Sequence, residues 1–547
     1  MICSLKTAAF DGIEAKRVEV QVSLGAGMPG FVIVGLPDKA INESKERVRA
    51  VLAVLGVEFP REHITVNLKP VDLLKEGAHF DLPIAMGLMG AMGLVDPARL
   101  KGYIFMGALS LDGSIERVNG VLPAAVRAIA DKCGLVCPAA NASEAAWSRC
   151  APVLAAGHIL ELMNYFNGKA DGGVLQRNDG RARVSENGAR GPEQAENGAR
   201  NRMAAGRETG TGAAVYNIDY ADVKGQESAK RAMLIAAAGG HNLLMSGPPG
   251  SGKTMLAERL VTILPPLTLR QALENAMIQS VAGVLDEELA ARGELDLRRP
   301  FRAPHHSASM ASLVGGGRKG IPGEITLAHN GVLFLDELPE FSRSALDALR
   351  QPLENKRAVI SRVMAHTVYP ADFQLVAAMN PCRCGFFGVE GRMCAKAPQC
   401  AEDYLAKLSG PFLDRFDLQI EVPAVSPYDL TSGKTGTGSA EMRAQVLAAR
   451  EIAAARFAAF GASGLTCNAE LKGDMLEKAL DMGPELRRFA AESAEKCGLT
   501  ARSLNRILRL ARTIADLQNE KKVSKIHLIE ALSYRRGPLT RRPAGKK

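Results

Sequence analysis

Apolar residues in the first part of the chain alternate between short runs and helical spacing. The runs at 18–22 and 31–34 are closed off by Gly and Pro, which is typical of strands. Apolar side chains over 38–55 recur at helical intervals and stop before Gly56. Further strands are expected at 64–68 and 103–109, and further helices at 84–94 and 122–130. The pattern predicts a compact α/β domain over residues 1–166.

Residues 167–215 interrupt this pattern, because large apolar side chains almost disappear. The segment is rich in Gly, Asn, Arg, Glu and Ala, and the pentapeptide at 186–190 recurs at 196–200. Such a composition cannot bury enough apolar surface to offset the entropy of ordering the chain. We therefore expect a flexible linker between two folded parts.

Strands, helices and Gly-rich turns resume over residues 216–425, which predicts a second α/β unit. Residues 426–537 are predicted to form a helical lid, and a basic tail follows at 538–547. The helices of the lid are expected at 441–460, 470–480, 484–497, 501–519 and 524–534. The predicted fold class is a multidomain α/β protein with a helical C-terminal part.

Composition and charge restrict the class of protein. The chain has 547 residues, of which 47% are hydrophobic and 23% charged, an ordinary globular balance. No apolar run is long enough for a signal peptide or a bilayer span, and the ten cysteines are too scattered for a disulfide framework. We expect a soluble cytoplasmic protein with no membrane partner. The net charge of +9 is concentrated in a basic tail, which could attract polyanions or simply be a solvated end.

A phosphate-binding motif lies between an apolar run at 242–246 and a helical segment at 255–260. This strand–loop–helix context is the one that a P-loop requires. The glycines let backbone N–H groups converge on phosphate at a helix N-terminus, while Lys253 can reach the β- and γ-phosphates and Thr254 can hold Mg²⁺. The predicted nucleotide-binding residues are Gly247, Pro248, Pro249, Gly250, Ser251, Gly252, Lys253 and Thr254.

Two adjacent carboxylates, Asp336 and Glu337, end the apolar run at 332–335. Asp336 is the candidate for holding Mg²⁺ through its water shell, and Glu337 is the candidate general base that polarises the attacking water. A strand that ends in solvated acids is the alternative, but a metal-bound triphosphate needs such a partner.

Three further polar positions are candidates for completing the site. Asn380 follows an apolar run and could orient the water, although Asn before Pro is also a turn former. Arg415 could be an arginine finger for a neighbouring subunit's nucleotide, or it could form a surface salt bridge. Arg502 shares a helical face with Arg506 and Arg509, and one of these could lean over the nucleotide from the lid.

The order of these motifs resembles the magnesium-chelatase branch of AAA+ ATPases and, within it, the ComM/YifB family. The stretches at 30–38, 222–226 and 299–306 also match this family. The resemblance implies a P-loop AAA+ core with ATP and Mg²⁺ as cofactors, and it adds Val223 to the nucleotide-binding residues. It also implies that Asn380 is sensor 1.

By the same resemblance, Arg415 is the finger supplied in trans and Arg502 is the sensor 2 residue. The family pattern Ser-x-Arg is replaced here by Thr500-Ala-Arg502, so Arg506 stays an alternative for sensor 2. The implied assembly is a homo-hexameric ring.

The implied function is an ATP-driven DNA helicase that performs branch migration on single-stranded or branched DNA during natural transformation. A magnesium-chelatase-like or protein-remodelling ATPase without DNA activity is the alternative. A non-enzymatic ATP-switched scaffold is a third interpretation, and the intact Lys253, Asp336 and Glu337 argue against it.

The N-terminal region resembles the Lon-type protease fold, whose chemistry needs a Ser nucleophile and a Lys base. At the corresponding positions this chain has His79 and Leu122. Neither side chain can perform that chemistry. We therefore expect a non-proteolytic domain that serves docking or ring building.

A cysteine-rich insert at 382–400 contains four thiols within nineteen residues. Four thiolates can form a closed structural Zn²⁺ site, although a C-x-C opening departs from the usual spacing. Reduced cysteines in a loop are the alternative. The candidate ligands are Cys382, Cys384, Cys394 and Cys400.

A Gly-rich basic loop at 315–320 contains Arg318 and Lys319, and two adjacent histidines, His305 and His306, precede it. Adjacent side chains point to different faces, so one shared metal is not expected. The loop could contact a DNA backbone in the pore of a ring, or it could be a plain surface loop.

Overall fold

The computed structural model divides the chain into two sheet-based parts and a helical C-terminal part. Most of the predicted linker 167–215 and the whole predicted tail 538–547 lie outside the described residues. The structure describes residues 2–150, 152–169, 175–177, 183–184, 216–292, 294–317, 320–361, 366–387, 396, 398–425, 436–462 and 464–535.

An eight-stranded mixed sheet organises the N-terminal part, in the order β10-β9-β8-β5-β1-β2-β4-β3. β1 and β2 form a long antiparallel hairpin in its middle. The strands are β1 (Ile2–Asp11), β2 (Glu14–Gly25), β3 (Gly30–Val34), β4 (His63–Lys69), β5 (Tyr103–Phe105), β8 (Gly134–Pro138), β9 (Val153–Ala156) and β10 (Leu175–Arg177). A separate hairpin pairs β6 (Ala108–Leu109) with β7 (Ile115–Glu116).

The helix Asp81–Ala91 lies in the centre of this part, and all eleven of its residues are buried. Two of its glycines face the hairpin, because a Cβ on Gly87 would lie 2.7 Å from Val22 and one on Gly90 would lie 2.6 Å from Cys3. Small residues therefore let this helix approach the sheet closely. The other helices of this part are Lys39–Val54, Pro97–Leu100, Val121–Ala130, Ala142–Ala146 and Ile159–Phe166.

Most predicted N-terminal elements are present, with one clear error. The single strand predicted at 103–109 is two strands, β5 and β6, that belong to different sheets. The chain turns at Gly107, where a Cβ would lie 2.8 Å from Ile115 and 2.9 Å from Leu82. An unbroken apolar run hides such a turn. β1 was not predicted, and the run at 18–22 is the middle of the longer strand β2.

A five-stranded parallel sheet, in the order β14-β17-β20-β12-β21, organises the second part. Its strands are β12 (Leu243–Ser246), β14 (Phe301–Arg302), β17 (Val332–Leu335), β20 (Gln374–Met379) and β21 (Leu418–Glu421). β12, β17 and β20 are buried along their whole length, which explains their unbroken apolar runs. Because the strands are parallel, the loops that follow them meet at one edge.

Helices and three small strand pairs surround this sheet. The strand pairs join β11 (Arg183–Val184) to β13 (Glu294–Leu295), β15 (Gly315–Gly316) to β16 (Ile321–Pro322) and β18 (Arg357–Ser361) to β19 (His366–Pro370). The helices are Glu227–Gly239, Lys253–Ile263, Leu269–Ala282, Glu287–Arg292, Met310–Val314, Glu324–Leu327, Arg343–Ala348, Pro352–Asn355, Gln399–Leu405 and Gly410–Leu413. The mixed α/β class expected from the sequence is therefore present.

The C-terminal part contains helices at all five predicted places. Ile507, Leu510 and Ile514 come from the fourth of them and pack into the same core as β12 and the helix after the P-loop. The C-terminal helices are Ser439–Ala459, Gly473–Leu480, Pro484–Lys496, Ala501–Leu517 and Lys525–Ser533. None of the helices in the described part of the chain combines the length and apolar character that a bilayer crossing needs.

The N-terminal part packs against the second part through Leu122, which is fully buried in a shared apolar cluster. Close by, Ser280 Oγ donates to Glu144 Oε1 at 2.5 Å, and Gly120 N donates to Ser280 O at 3.2 Å. His79 is also buried, and its Nε2 lies 2.9 Å from Ala8 O. The two positions compared with a protease dyad are thus occupied by packing residues.

Candidate nucleotide-binding site

The P-loop follows β12 directly and begins a helix at Lys253. Gly250 and Gly252 have φ of +76° and +86°, a backbone region that other residues adopt only with strain. A Cβ on Gly247 would collide with the backbone oxygen of Val422. These glycines are therefore required by the shape of the loop, whose geometry matches the motif.

Lys253 is buried inside this loop, where only 8% of the residue is exposed. Its Nζ donates to Gly247 O at 2.8 Å and to Pro248 O at 2.9 Å. Burial lowers the pKa of Lys253, and the charge of Asp336 opposes that shift. An ammonium held by neutral carbonyls in a poorly solvated place attracts anions strongly, so phosphate oxygens are suitable partners for it.

Thr254 and Asp336 meet across the sheet edge, where Thr254 Oγ1 donates to Asp336 Oδ2 at 3.0 Å. Thr254 begins the helix after β12, and Asp336 follows β17. A hydroxyl and a carboxylate at this distance are the hard oxygen donors that Mg²⁺ prefers. The donor set therefore fits a magnesium ion that accompanies a triphosphate.

Glu337 adopts a left-handed backbone conformation with φ of +50°, immediately after Asp336. Its Oε2 lies 3.4 Å from His306 Nδ1, and its side chain is about half exposed. His306 reaches it because β14, four residues earlier, pairs with β17. Sequence reasoning did not assign His306 to the site. The signal that could have identified it is its position just after a strand, like that of the other site residues.

Asn380 follows β20 and lies on the same edge of the sheet. Its Oδ1 is 3.4 Å from Lys253 Nζ, so the structure brings it to the P-loop, as the motif suggested. A second amide, Gln226, was not assigned from the sequence. Its Nε2 donates to Pro423 O at 2.6 Å and to Ser251 O at 3.3 Å, which ties the segment at 222–226 to the P-loop. Val223, the second residue of that segment, is buried in the core.

Arg415 lies at the opposite end of the sheet from the P-loop. It precedes β21, whose first residue Leu418 pairs with Leu243, the first residue of β12. The P-loop follows the last residue of β12, and a strand of this length spans roughly 10 Å. Arg415 Nη2 is 2.5 Å from Glu354 Oε1, and little of its side chain is exposed.

Arg502 and Arg506 lie in the same place as Arg415. Arg502 also contacts Glu354 Oε1, and Arg506 Nη1 donates to Arg415 O at 2.9 Å and to Asp417 Oδ1 at 2.7 Å. These contacts locate Arg502 at the far end of the sheet. The idea that a late arginine leans over the nucleotide of its own chain therefore does not match its position.

These arginines line a cavity of about 1290 Å³. Burial, and then the charge of Arg502, lower the pKa of Arg415, while Glu354 opposes the shift. The buried Nε atoms of Arg415, Arg506 and Arg509 have no hydrogen-bond partner among the described residues. Clustered guanidinium groups whose Nε donors are unpaired are suited to binding an anion.

Three models of the magnesium-chelatase family match the chain and together cover most of it. "Magnesium chelatase, subunit ChlI" matches residues 219–430, "Subunit ChlI of Mg-chelatase" matches 18–141, and "Magnesium chelatase, subunit ChlI C-terminal" matches 436–535.

Relatives that match over nearly their whole length identify the family within this group. Competence protein ComM from Haemophilus influenzae is 43% identical over 96% of this chain and 95% of its own length. YifB from Salmonella typhimurium is 39% identical over 97% of this chain and 96% of its own length. The chain belongs to the ComM/YifB family. The magnesium-chelatase 67 kDa subunit of Chlorobaculum parvum is more distant, with 28% identity over 30% of this chain and 23% of its own length. These matches support an ATPase of the AAA+ type.

This ComM/YifB-family chain also has a cysteine cluster close to the nucleotide site. The Sγ atoms of Cys382, Cys384 and Cys400 lie within 4.8 Å of one another. Cys394, the fourth predicted ligand, lies outside the described residues, as do Arg318 and Lys319 of the basic loop. The sequence predicts a group of four thiols, and the structure brings the three described ones together.

Proposed function

We propose that the chain hydrolyses ATP as a ring-shaped AAA+ motor and that its substrate is DNA. The observation that carries the ATPase proposal is the convergence of Lys253, Thr254, Asp336 and Asn380 at one edge of the parallel sheet. These side chains come from three segments of the chain, which follow β12, β17 and β20, and all of them suit a metal-bound triphosphate. An incidental Gly-rich loop would not have Asp336 and Asn380 brought to it from two other strands.

The roles follow from chemistry and position. The P-loop amides and Lys253 bind the β- and γ-phosphates, and Thr254 and Asp336 hold Mg²⁺. Bound Mg²⁺ neutralises charge on the phosphates. Glu337 accepts a proton from the attacking water, and Asn380 orients that water. His306 keeps the Glu337 carboxylate in position.

The active unit is an oligomer, proposed to be a homo-hexamer. Arg415 and Arg502 lie at the far end of the sheet from their own P-loop, so neither can reach a phosphate held there. An arginine that stabilises the leaving phosphate can be supplied by a neighbour. We therefore assign Arg415 as the finger and Arg502 as the sensor of the adjacent subunit's nucleotide. The Nε donors of this arginine cluster, unpaired within the described part of the chain, are consistent with a site for the neighbour's triphosphate.

DNA is the proposed substrate, with helicase activity on single-stranded or branched DNA during transformation and recombination in the cytoplasm. Two observations support it: the match over nearly the whole chain to a protein named for competence, and the order of motifs that resembles this family. The rival is a magnesium-chelatase-like or protein-remodelling ATPase. The distant match to a magnesium-chelatase subunit is the observation that supports this alternative function.

One experiment distinguishes a DNA motor from a magnesium-chelatase-like or protein-remodelling ATPase. The steady-state ATPase rate of the purified chain is measured with Mg²⁺ alone, with single-stranded DNA and with a forked duplex, and Lys253→Ala serves as the inactive control. Stimulation by forked DNA at low salt, weakening as salt increases, supports the motor. A rate that depends on Lys253 but is unaffected by any DNA supports the rival. A rate unaffected by Lys253→Ala rules out both.

A further inference from the structure

The cysteine cluster begins two residues after Asn380, in a tight turn. Gly385 N donates to Cys382 O at 3.0 Å, and Gly385 has φ of +84°, a conformation suited to glycine. The turn brings Cys382 Sγ to within 3.1 Å of Cys384 Sγ. Cys382 is fully buried, whereas Cys384 is exposed. Two thiols on one short turn are thus presented to the same point.

The third thiol comes from the far side of the insert. Cys400 is the second residue of the helix Gln399–Leu405, and its N donates to Lys396 O at 3.1 Å. This helix is anchored to the rest of the core by the buried Tyr404. The described cysteines form no disulfide. The start and the end of the insert are therefore brought together by three sulfur atoms that no covalent bond joins.

The turn that carries Cys382 and Cys384 rests on the P-loop. A Cβ built on Gly385 would lie 2.6 Å from Cδ of Pro249, so the backbone of the turn packs directly on that proline. The turn also directly follows Asn380 and Pro381. Its position therefore affects both the P-loop and the residue that lies 3.4 Å from Lys253 Nζ.

We propose that Cys382, Cys384 and Cys400 bind a zinc ion, and that this ion fixes the turn on which Pro249 packs and from which Asn380 projects. Thiolates are the preferred ligands of structural Zn²⁺, and three of them leave one coordination position to be filled. Each thiol releases its proton to solvent when the metal binds. The role in catalysis rests on the proposed ATPase function, whereas the metal site does not.

A metal at this point replaces covalent cross-linking. Cys382 and Cys400 are separated by eighteen positions in the sequence. An ion bound to both cysteines closes the loop between them and thereby reduces the conformational entropy of that part of the chain. Fixing the loop removes freedom from Asn380 at one end and from the helix Gln399–Leu405 at the other. The insert lies between Asn380 and Arg415 in the chain. The ion thus stabilises the connection between the two ends of the sheet.

The metal is tested first on the full-length chain, purified without chelators and without nucleotide. Elemental analysis should find one zinc per chain in the wild type and in Cys497→Ser, a partly buried cysteine far along the sequence. Cys382→Ser and Cys400→Ser should each lose most of it. Because a Cys382 variant that fails to fold would also lose zinc, Co²⁺ is exchanged into the wild type, where thiolate-to-cobalt charge-transfer and tetrahedral d–d absorption should develop.

Absence of zinc from the wild type, or zinc retained by both cluster variants, would overturn the metal site whatever the ATPase result. The coupling is tested by removing zinc from the wild type and then restoring it. The kcat for ATP should fall about tenfold on removal and return on restoration, with kcat of Cys497→Ser unchanged. An equal kcat with and without zinc would overturn the coupling. A chain that binds zinc but never hydrolyses ATP would overturn the proposed function and the coupling and leave the metal site standing.

Discussion

His306 Nδ1 lies 3.4 Å from Glu337 Oε2, so an imidazole that follows β14 contacts the carboxylate that follows β17. The ring of His305 packs on that of His306, with 4.0 Å between the ring centroids. The Glu337 backbone already holds an unusual left-handed conformation. Glu337, the proposed general base, is therefore restrained at its backbone and at its carboxylate, which is what a proton acceptor in a fixed geometry requires.

Replacing His306 by Ala should lower kcat for ATP about tenfold and leave the KM for Mg-ATP nearly unchanged, because the group positions the base and touches no phosphate. His306→Asn, whose amide N–H can face the same carboxylate, should recover part of the loss. His63→Ala is the matched control, since this partly exposed histidine lies in β4 and its Nδ1 is 3.3 Å from Met28 O, away from Glu337. If His306→Ala hydrolyses ATP at the wild-type rate, the imidazole has no positioning role.

Replacing Glu337 by Gln should lower kcat at least about 100-fold, because an amide cannot accept the proton of the attacking water. Binding of a fluorescent Mg-ATP analogue should persist, since Lys253, Thr254 and Asp336 are intact. Glu340→Gln is the control, a nearby carboxylate that contacts Lys407 Nζ at 3.1 Å. Turnover retained by Glu337→Gln would assign the base to another residue.

Local motifs were sufficient to group the candidate residues that lie in the loops after the strands. Lys253, Asp336 and Asn380 each end or follow an unbroken apolar run, and parallel strands bring such ends to one edge. His306 follows β14, which has only two residues and carries no readable apolar run. Its contact with Glu337 depends on how β14 pairs with β17, and this tertiary pairing cannot be read from the local sequence.

Arg502 illustrates a second limit of prediction from the sequence. Helical periodicity correctly predicted the helix it begins, because that helix has a strongly segregated apolar face. Periodicity states which residues share a face but not which element that face meets. The partner of Arg502 is Glu354, 148 positions away in the chain. Only the packing of the helix on the sheet determines that the arginine lies far from its own P-loop.

Mixing two inactive variants tests whether Arg415 acts in trans. Lys253→Ala lacks the phosphate-binding lysine and Arg415→Ala lacks the finger, so each alone should hydrolyse ATP at least about 1000-fold more slowly than the wild type. In an equal mixture, about a quarter of the interfaces (one half times one half) join an intact P-loop to an intact arginine of the neighbour. ATPase activity should therefore reappear on mixing.

The control for this experiment mixes Lys253→Ala with Glu337→Gln. Both changes lie on the P-loop side of the site, so no interface in that mixture is complete and no activity should return. If the Arg415→Ala and Lys253→Ala mixture also stays inactive while both variants still assemble with wild-type chains, Arg415 does not act on a neighbour.

Asp417 determines the stability of the arginine cluster. It is buried, Arg506 Nη1 donates to it at 2.7 Å, and His241 Nδ1 lies 3.5 Å away. Burial alone would raise the pKa of Asp417, but the contact with His241 and the charge of Arg506 outweigh it and lower that pKa. Asp417→Asn leaves Arg506 without its counter-ion and should lower the free energy of unfolding by about 3 kcal/mol.

The pH dependence follows from the direction of that shift. A carboxylate with a lowered pKa in the folded state stabilises the fold above its unfolded pKa of about 3.9, and the contribution is lost as pH falls below that value. Urea unfolding followed by circular dichroism should thus give a constant difference between wild type and Asp417→Asn above about pH 5 and a shrinking one below about pH 4. Asp481→Asn, whose exposed carboxylate is 3.2 Å from Lys522, should change stability by less than about 1 kcal/mol at any pH. A difference for Asp417→Asn that is equally small, or that grows as pH falls, would mean that this carboxylate does not hold the cluster together.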